Sequence, residues 1–199
     1  MKVVITTNNK ITGLAEFYSK YVLAMQDLGK RWYKNKFILK MSICGLLLGS
    51  IYSFLPSSFH NLDELQKIIA EKNTSIEIAL LAVFILFITT GLAAASGAPG
   101  GLFYPMLTLG AAIGLIMGSW VEIATGHAPS TYIFAGMGAF VAGCSRTPIT
   151  AMFLAFALTK NLLIMKPVLI SCITSFLVAR AFNEKSIYER QIQIELEEL

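Results

Sequence analysis

Apolar positions run through this chain in long blocks broken at unequal intervals. The longest block, residues 78–121, is 44 residues without Asp, Glu, Lys, Arg or His. In its middle stands Ser96-Gly97-Ala98-Pro99-Gly100-Gly101-Leu102-Phe103-Tyr104-Pro105. The stretches on either side, 78–95 and 102–121, are each long enough to cross most of a bilayer as a helix. Non-helical backbone at membrane depth is tolerated only where it is buried in protein or lines a polar cavity. The break therefore gives the backbone itself a task at that depth.

The remaining pattern is less regular. Leu14, Phe17, Tyr21, Met25, Leu28 and Trp32 recur at helical spacing and predict an amphipathic helix over 12–36. Lys20, Lys30, Arg31, Lys34 and Lys36 form its polar side, so it lies on the cytoplasmic membrane surface or against other helices. Residues 37–55 form a first spanning segment before Pro56, with Lys40 placed to snorkel and Gly45 and Gly49 spaced for close helix approach. Residues 57–74 are polar and predict a short extramembrane helix with loops. Gly110, Gly114 and Gly118 put small residues on one face of the helix after the break. Residues 131–144 and 147–158 are apolar but too short to span alone, with Arg146 between them. Residues 162–182 have spanning length, with Lys166 and Pro167 interrupting the start, and a charged tail follows.

Short and broken helices of this kind mark transporters, whose half-helix ends meet near the midplane. The expected fold is all-α: a polytopic membrane protein with short, broken and re-entrant helices and no internal repeat. Three regions are expected: a cytoplasmic lead-in (1–36), a membrane domain (37–182), and a tyrosine-bearing segment with the charged tail (183–199).

Composition agrees. The 199 residues are 55% hydrophobic and 14% charged, where a soluble domain carries about 25% charge; the mean hydropathy is +0.65. An integral protein of a plasma or inner membrane is expected. The pI near 9.0 does not point to nucleic acid, because eight of the 16 Lys and Arg fall in residues 1–40, as the positive-inside rule requires of a juxtamembrane cluster. Met1 to Lys10 is polar and predicts no signal peptide. Cys44, Cys144 and Cys172 lie far apart in apolar segments and read as small buried hydrophobes, with no zinc-site spacing. No HExxH, GxSxG or paired-carboxylate pattern is present, and Glu122 is the single acid between 78 and 183; an enzyme is not expected.

The chemistry open to the glycine break is anion binding. A helix N-terminus presents unpaired N–H groups and a partial positive charge, so it can hold an anion with no cationic side chain. Gly100 and Gly101 remove side-chain bulk beside the backbone, and Pro105 needs no N–H partner in a first turn. The amides of Leu102 and Phe103 are left to face the ion. Neither GxxxxGK[ST] nor GxGxxG occurs, which excludes the phosphate-binding loops of soluble proteins. The competing reading is a loop whose glycines serve helix packing.

The same segment resembles the GxFxP anion-selectivity motif of the CLC chloride channel and transporter family. Three more segments resemble that family in order: Val22-Leu23-Ala24-Met25-Gln26-Asp27, the pair Ala135-Gly136-Met137-Gly138-Ala139 and Ser145-Arg146-Thr147-Pro148-Ile149-Thr150, and Lys185-Ser186-Ile187-Tyr188. The resemblance covers about residues 17–190. It implies that chloride is the transported ligand, with no cofactor and no metal. It also implies coordination by amides at Gly101, Leu102 and Phe103 and by the Tyr188 hydroxyl, supported by Gly97, Pro99, Gly100 and Pro105. By the same resemblance the chain is the second half of an inverted repeat. The first-half motifs GSGIP and G[K/R]EGP are absent, and Ala157 stands where many members carry Glu. Its expected partners are the bilayer, a missing N-terminal half or a full-length homologue, and a second copy in a dimer formed in part by residues 147–180. The alternative is a non-conducting remnant or an accessory subunit. Channel and proton-coupled exchange stay equally open.

Overall fold

The structure, a computed structural model, describes residues 2–32, 37–54, 76–97, 101–125, 130–159 and 162–196. The described residues form eight helices: α1 (Lys2–Trp32), α2 (Phe37–Phe54), α3 (Ile76–Ser96), α4 (Phe103–Thr125), α5 (Ser130–Ser145), α6 (Pro148–Thr159), α7 (Leu162–Phe182) and α8 (Ile187–Leu196). The all-α expectation holds, and the boundaries after residue 75 fall within a few residues of those read from the pattern. The polar segment 57–74 lies outside the described residues.

Three stretches are long and apolar enough to cross a membrane: Ile76–Ser96, Phe103–Val121 and Ile164–Ile194, the last containing most of α7. Residues 38–51 of α2, with α5 and α6, fall in the shorter class. The first spanning segment expected at 37–55 is therefore a shorter apolar helix in its described part. Pro167 does not interrupt α7; it sits inside a continuous helix, in the first two turns, where the lost backbone bond is close to the helix end.

Helix α1 differs most from its pattern. It begins at Lys2, ten residues earlier than expected, and packs against α3, α5 and α7. Of the two placements open to it, packing against helices is observed. Its buried face is Ile11, Ala15, Tyr18 and Val22, none more than 2% exposed, together with Thr12, Glu16 and Ser19. The stripe read from the sequence points elsewhere: Leu14, Phe17 and Leu28 are exposed. The buried face instead takes smaller and hydrogen-bonding residues that let α1 lie close to α5 and α7. Thr12 and Ser175 show this selection. The Thr12 hydroxyl donates to Ser175 Oγ at 2.9 Å, and Ser175 donates on to the Ala139 carbonyl at 2.6 Å, tying α1, α7 and α5 together.

Backbone contact between glycines holds α4 to α5. A Cβ built on Gly136 meets the Gly114 Cα at 2.7 Å and the Gly110 carbonyl; one built on Gly110 meets the Gly136 carbonyl at 2.8 Å. Neither neighbour is a side chain that can rotate away. Gly45 and Gly49 are the opposite case: among the described residues nothing lies within 4 Å of a Cβ at either position. Lys40 Nζ donates to the Gly29 carbonyl near the end of α1, at 3.4 Å.

Gly136→Ala is expected to wedge α4 from α5 and lower the stability of the purified protein by about 1–3 kcal/mol, the usual cost of overpacking. Gly45→Ala is expected to be neutral or to stabilise by about 0.5–1 kcal/mol through helix propensity. Detergent thermal melts of the two variants check this, and equal shifts would contradict the packing described.

Candidate anion site at the start of helix α4

The break between α3 and α4 is built from its two helix ends. Gly97 closes α3 in the left-handed conformation (φ 74°), its N–H donating to the Ala94 carbonyl at 3.3 Å. Glycine is the usual residue at such a helix end because it lacks the Cβ that penalises positive φ. Pro99 and Gly100 lie outside the described residues. The chain then re-enters as helix at Phe103. The Leu102 carbonyl accepts from the Met106 N–H at 3.1 Å, which makes Leu102 the N-cap and Pro105 the third helical residue. The N–H groups of Leu102, Phe103 and Tyr104 have no intrahelical acceptor, and Pro105 has no N–H to place. Among the described residues nothing lies within 4 Å of a Cβ built on Gly101. Leu102 and Phe103 pack their side chains on the core, and Met106, fully buried, anchors the first turn. The Tyr104 amide joins the expected donors; the position of Pro105 is the sequence signal for it.

Tyr188 sits at the second helical position of α8. Its placement rests on a reciprocal cap. The Glu189 N–H donates to Ser186 Oγ at 3.2 Å, and the Ser186 N–H donates to Glu189 Oε2 at 2.7 Å. This is a capping box, and its Ser-x-x-Glu signature is a local sequence pattern. Ile187 is fully buried, while Tyr188 is 38% exposed. No hydrogen bond or ring contact joins Tyr188 to Leu102 or Phe103 among the described residues. The expected donors therefore fall into two groups, one at the start of α4 and one at the start of α8.

Between α1, α5, α7 and α8 lies a charged cluster that no sequence pattern announces. Glu16 accepts from Arg146 Nη2 at 2.9 Å, and from Arg190 Nη1 at 3.0 Å and Nη2 at 3.3 Å. Arg146 Nε and Nη2 also donate to the Asn183 carbonyl, at 3.2 and 3.0 Å. Exposure of the three charged side chains is 7% for Glu16, 7% for Arg146 and 12% for Arg190. Arg146 Nη1 and Arg190 Nε are buried without a partner among the described residues. Two guanidiniums on one carboxylate leave one formal positive charge. Arg146 also holds positive φ (62°) where α5 ends, a strain of about 1–3 kcal/mol for a residue other than glycine. Removing one member of a buried ion pair costs about 3–5 kcal/mol. Among the described residues no group of three or more His, Cys, Asp or Glu could hold a metal ion.

The family model described as voltage gated chloride channel matches residues 11–180. This chain belongs to that family. It is 30% identical over 179 residues to an H(+)/Cl(-) exchange transporter, ClcA, of Vibrio parahaemolyticus, a match covering 87% of the chain and 38% of the relative. A second such exchange transporter, from Salmonella typhimurium, is 30% identical over 177 residues, covering 86% and 37%. The fold is similar to the crystal structure of a slow cyanobacterial Cl-/H+ antiporter, with a TM-score of 0.86 and 25% identity over 98% of this chain and 46% of that one. It also resembles a eukaryotic CLC transporter, with a TM-score of 0.78 at 23% identity over 97% of this chain and 35% of that one. The chain thus spans less than half the length of these relatives. It is an integral membrane protein and corresponds to part of the length of these relatives.

Ser186→Ala removes the cap of α8 and is expected to destabilise the start of that helix by about 1 kcal/mol. Hydrogen exchange at residues 187–190 should accelerate several-fold in this variant and stay slow in Ser186→Asp, which keeps a capping oxygen.

Proposed function

We propose that this chain is the C-terminal half of a CLC-type chloride pathway. The anion is held by the unpaired amides of Leu102 and Phe103 at the start of α4, and the Tyr188 hydroxyl is a further donor. The observation that carries this reading is the open helix start: a side-chain-free Gly101, an N-cap at Leu102 and a proline at the third helical position. Neutral donors suit the task. Amides and a phenol bind a halide firmly enough to strip part of its hydration and weakly enough to release it, as conduction requires. The relatives named as exchange transporters support chloride as the ion. The N-terminal half would complete the coordination shell.

The division proposed places the transport machinery in 37–182, with α1 packed beside it and Tyr188 delivered by 183–199. The outward apolar side chains of α6 and α7, among them Ile149 at 68% and Phe153 at 56% exposed, support a dimer contact through the late helices. A plasma or inner bacterial-type membrane is the proposed location.

Co-expression with a first half carrying a GREGP-type segment is expected to give chloride efflux from proteoliposomes, while this chain alone gives none. Tyr188→Phe in the reassembled pair should weaken chloride binding about tenfold, the value of one hydrogen bond to a charged group. A pair that inserts and folds yet passes no chloride would sink the proposal.

A further inference from the structure

We infer that Glu16 is a positioning residue for Tyr188, acting as a latch that fixes α8 against α1 and α5. The inference rests on the reading of Tyr188 given above. Helix α8 is ten residues long, too short to be stable without tertiary contacts. Its docked face is Ile187, Arg190, Gln191 and Ile194, spaced i, i+3, i+4 and i+7. Two of these positions are polar contacts to α1. Arg190 forks onto both oxygens of Glu16, and Gln191 Nε2 donates to Gln26 Oε1 at 3.2 Å. Tyr188 lies two residues before Arg190, so the two side chains leave the helix on different sides. Pulling Arg190 onto Glu16 therefore sets the rotation of α8 and, with it, the direction of the phenol.

The same carboxylate controls the link before α8. Glu16 Oε2 binds Arg146, and Arg146 donates twice to the carbonyl of Asn183, the first residue after α7. The segment from Asn183 to Ser186 is thus held at Asn183 through Arg146 and on the far side of Ser186 through Arg190, with Glu16 common to both. Arg146 keeps a backbone conformation that glycine would adopt freely. A side chain with this task accounts for arginine at that position.

The test combines a local probe with chloride binding. Cys144 and Cys172 are buried, so Tyr188→Cys in a Cys44→Ser background takes a single spin label at position 188. In lipid nanodiscs the label is expected to be immobile with Glu16 present and mobile in Glu16→Gln. Arg190→Lys keeps the charge but not the fork, and Arg146→Gly relieves the backbone while removing the guanidinium. Both should give intermediate mobility. Should Glu16→Gln fail to fold, Glu16→Asp and Arg190→Lys supply the same comparison. In the reassembled pair, Glu16→Gln and Tyr188→Phe should each weaken chloride binding about tenfold, and the double variant should be no weaker than either alone. A label as immobile in Glu16→Gln as in the parent overturns the latch whatever chloride does, and so do additive losses in the double variant. If Glu16→Gln frees the label while Tyr188→Phe leaves chloride affinity unchanged, the latch stands and the assignment of Tyr188 to the pore fails.

Discussion

A peptide N–H that ends up inside a bilayer without an acceptor costs several kcal/mol, and the organisation of this protein follows from where it accepts that cost. The described helices satisfy most of their backbone internally. The start of α4 does not, because the helix begins inside the longest uncharged block and its third residue is a proline. The unpaired amides are tolerable there only if something other than hydrocarbon meets them. An anion, arriving and leaving, answers that requirement on the reading proposed above, and water would answer it between ions.

The packing serves this exposed helix end. Met106, fully buried, fixes the first turn, and the glycine contact with α5 fixes the helix axis. A backbone-to-backbone seam suits the purpose because it has no side-chain rotamers through which α4 could slide. The hydroxyl chain from Thr12 through Ser175 to Ala139 performs a similar service between α1, α7 and α5. In both places small residues do the joining, and many large ones face outward. Ile38, Leu46, Phe84, Trp120 and Leu162 are each at least 60% exposed, where lipid or the rest of a longer transporter would cover them.

Much of this architecture is legible in the order of residues alone. The apolar blocks mark α3 to α7 to within a few residues, because membrane-scale hydropathy is a strong local signal. The glycine break locates the helix start, since Gly and Pro restrict the backbone directly. The face of α1 is not legible in the same way. Its most regular stripe includes Leu14, Phe17 and Leu28, which are exposed, while the buried face carries Ile11, Thr12, Ala15 and Ser19, and spacing alone does not tell which of the two faces packs. For the Gly45 and Gly49 pair the spacing permits close approach, and among the described residues nothing fills it. Glu16 is separated from Arg146 by 130 residues and from Arg190 by 174, so no periodicity connects them. The capping box at Ser186 and Glu189 is the exception in that region, a short pattern that marks the start of α8 beside the tyrosine.

The charged cluster also bears on why the proposed site is neutral. Two unit charges about 4 Å apart attract by about 4 kcal/mol at an effective dielectric of 20, and a bare guanidinium against a chloride in a partly dry pore would hold the ion rather than pass it. Arg146 and Arg190 are held back from that role by a shared carboxylate and by the Asn183 carbonyl, which together accept five hydrogen bonds from them and leave one net positive charge spread through a buried cluster. At longer range such a charge favours any anion in the vicinity without forming a contact that must be broken. The donors proposed to touch the ion are then those that give a hydrogen bond and nothing stronger. On the reading proposed above, an arginine network could share the protein with a halide path and still leave that path open.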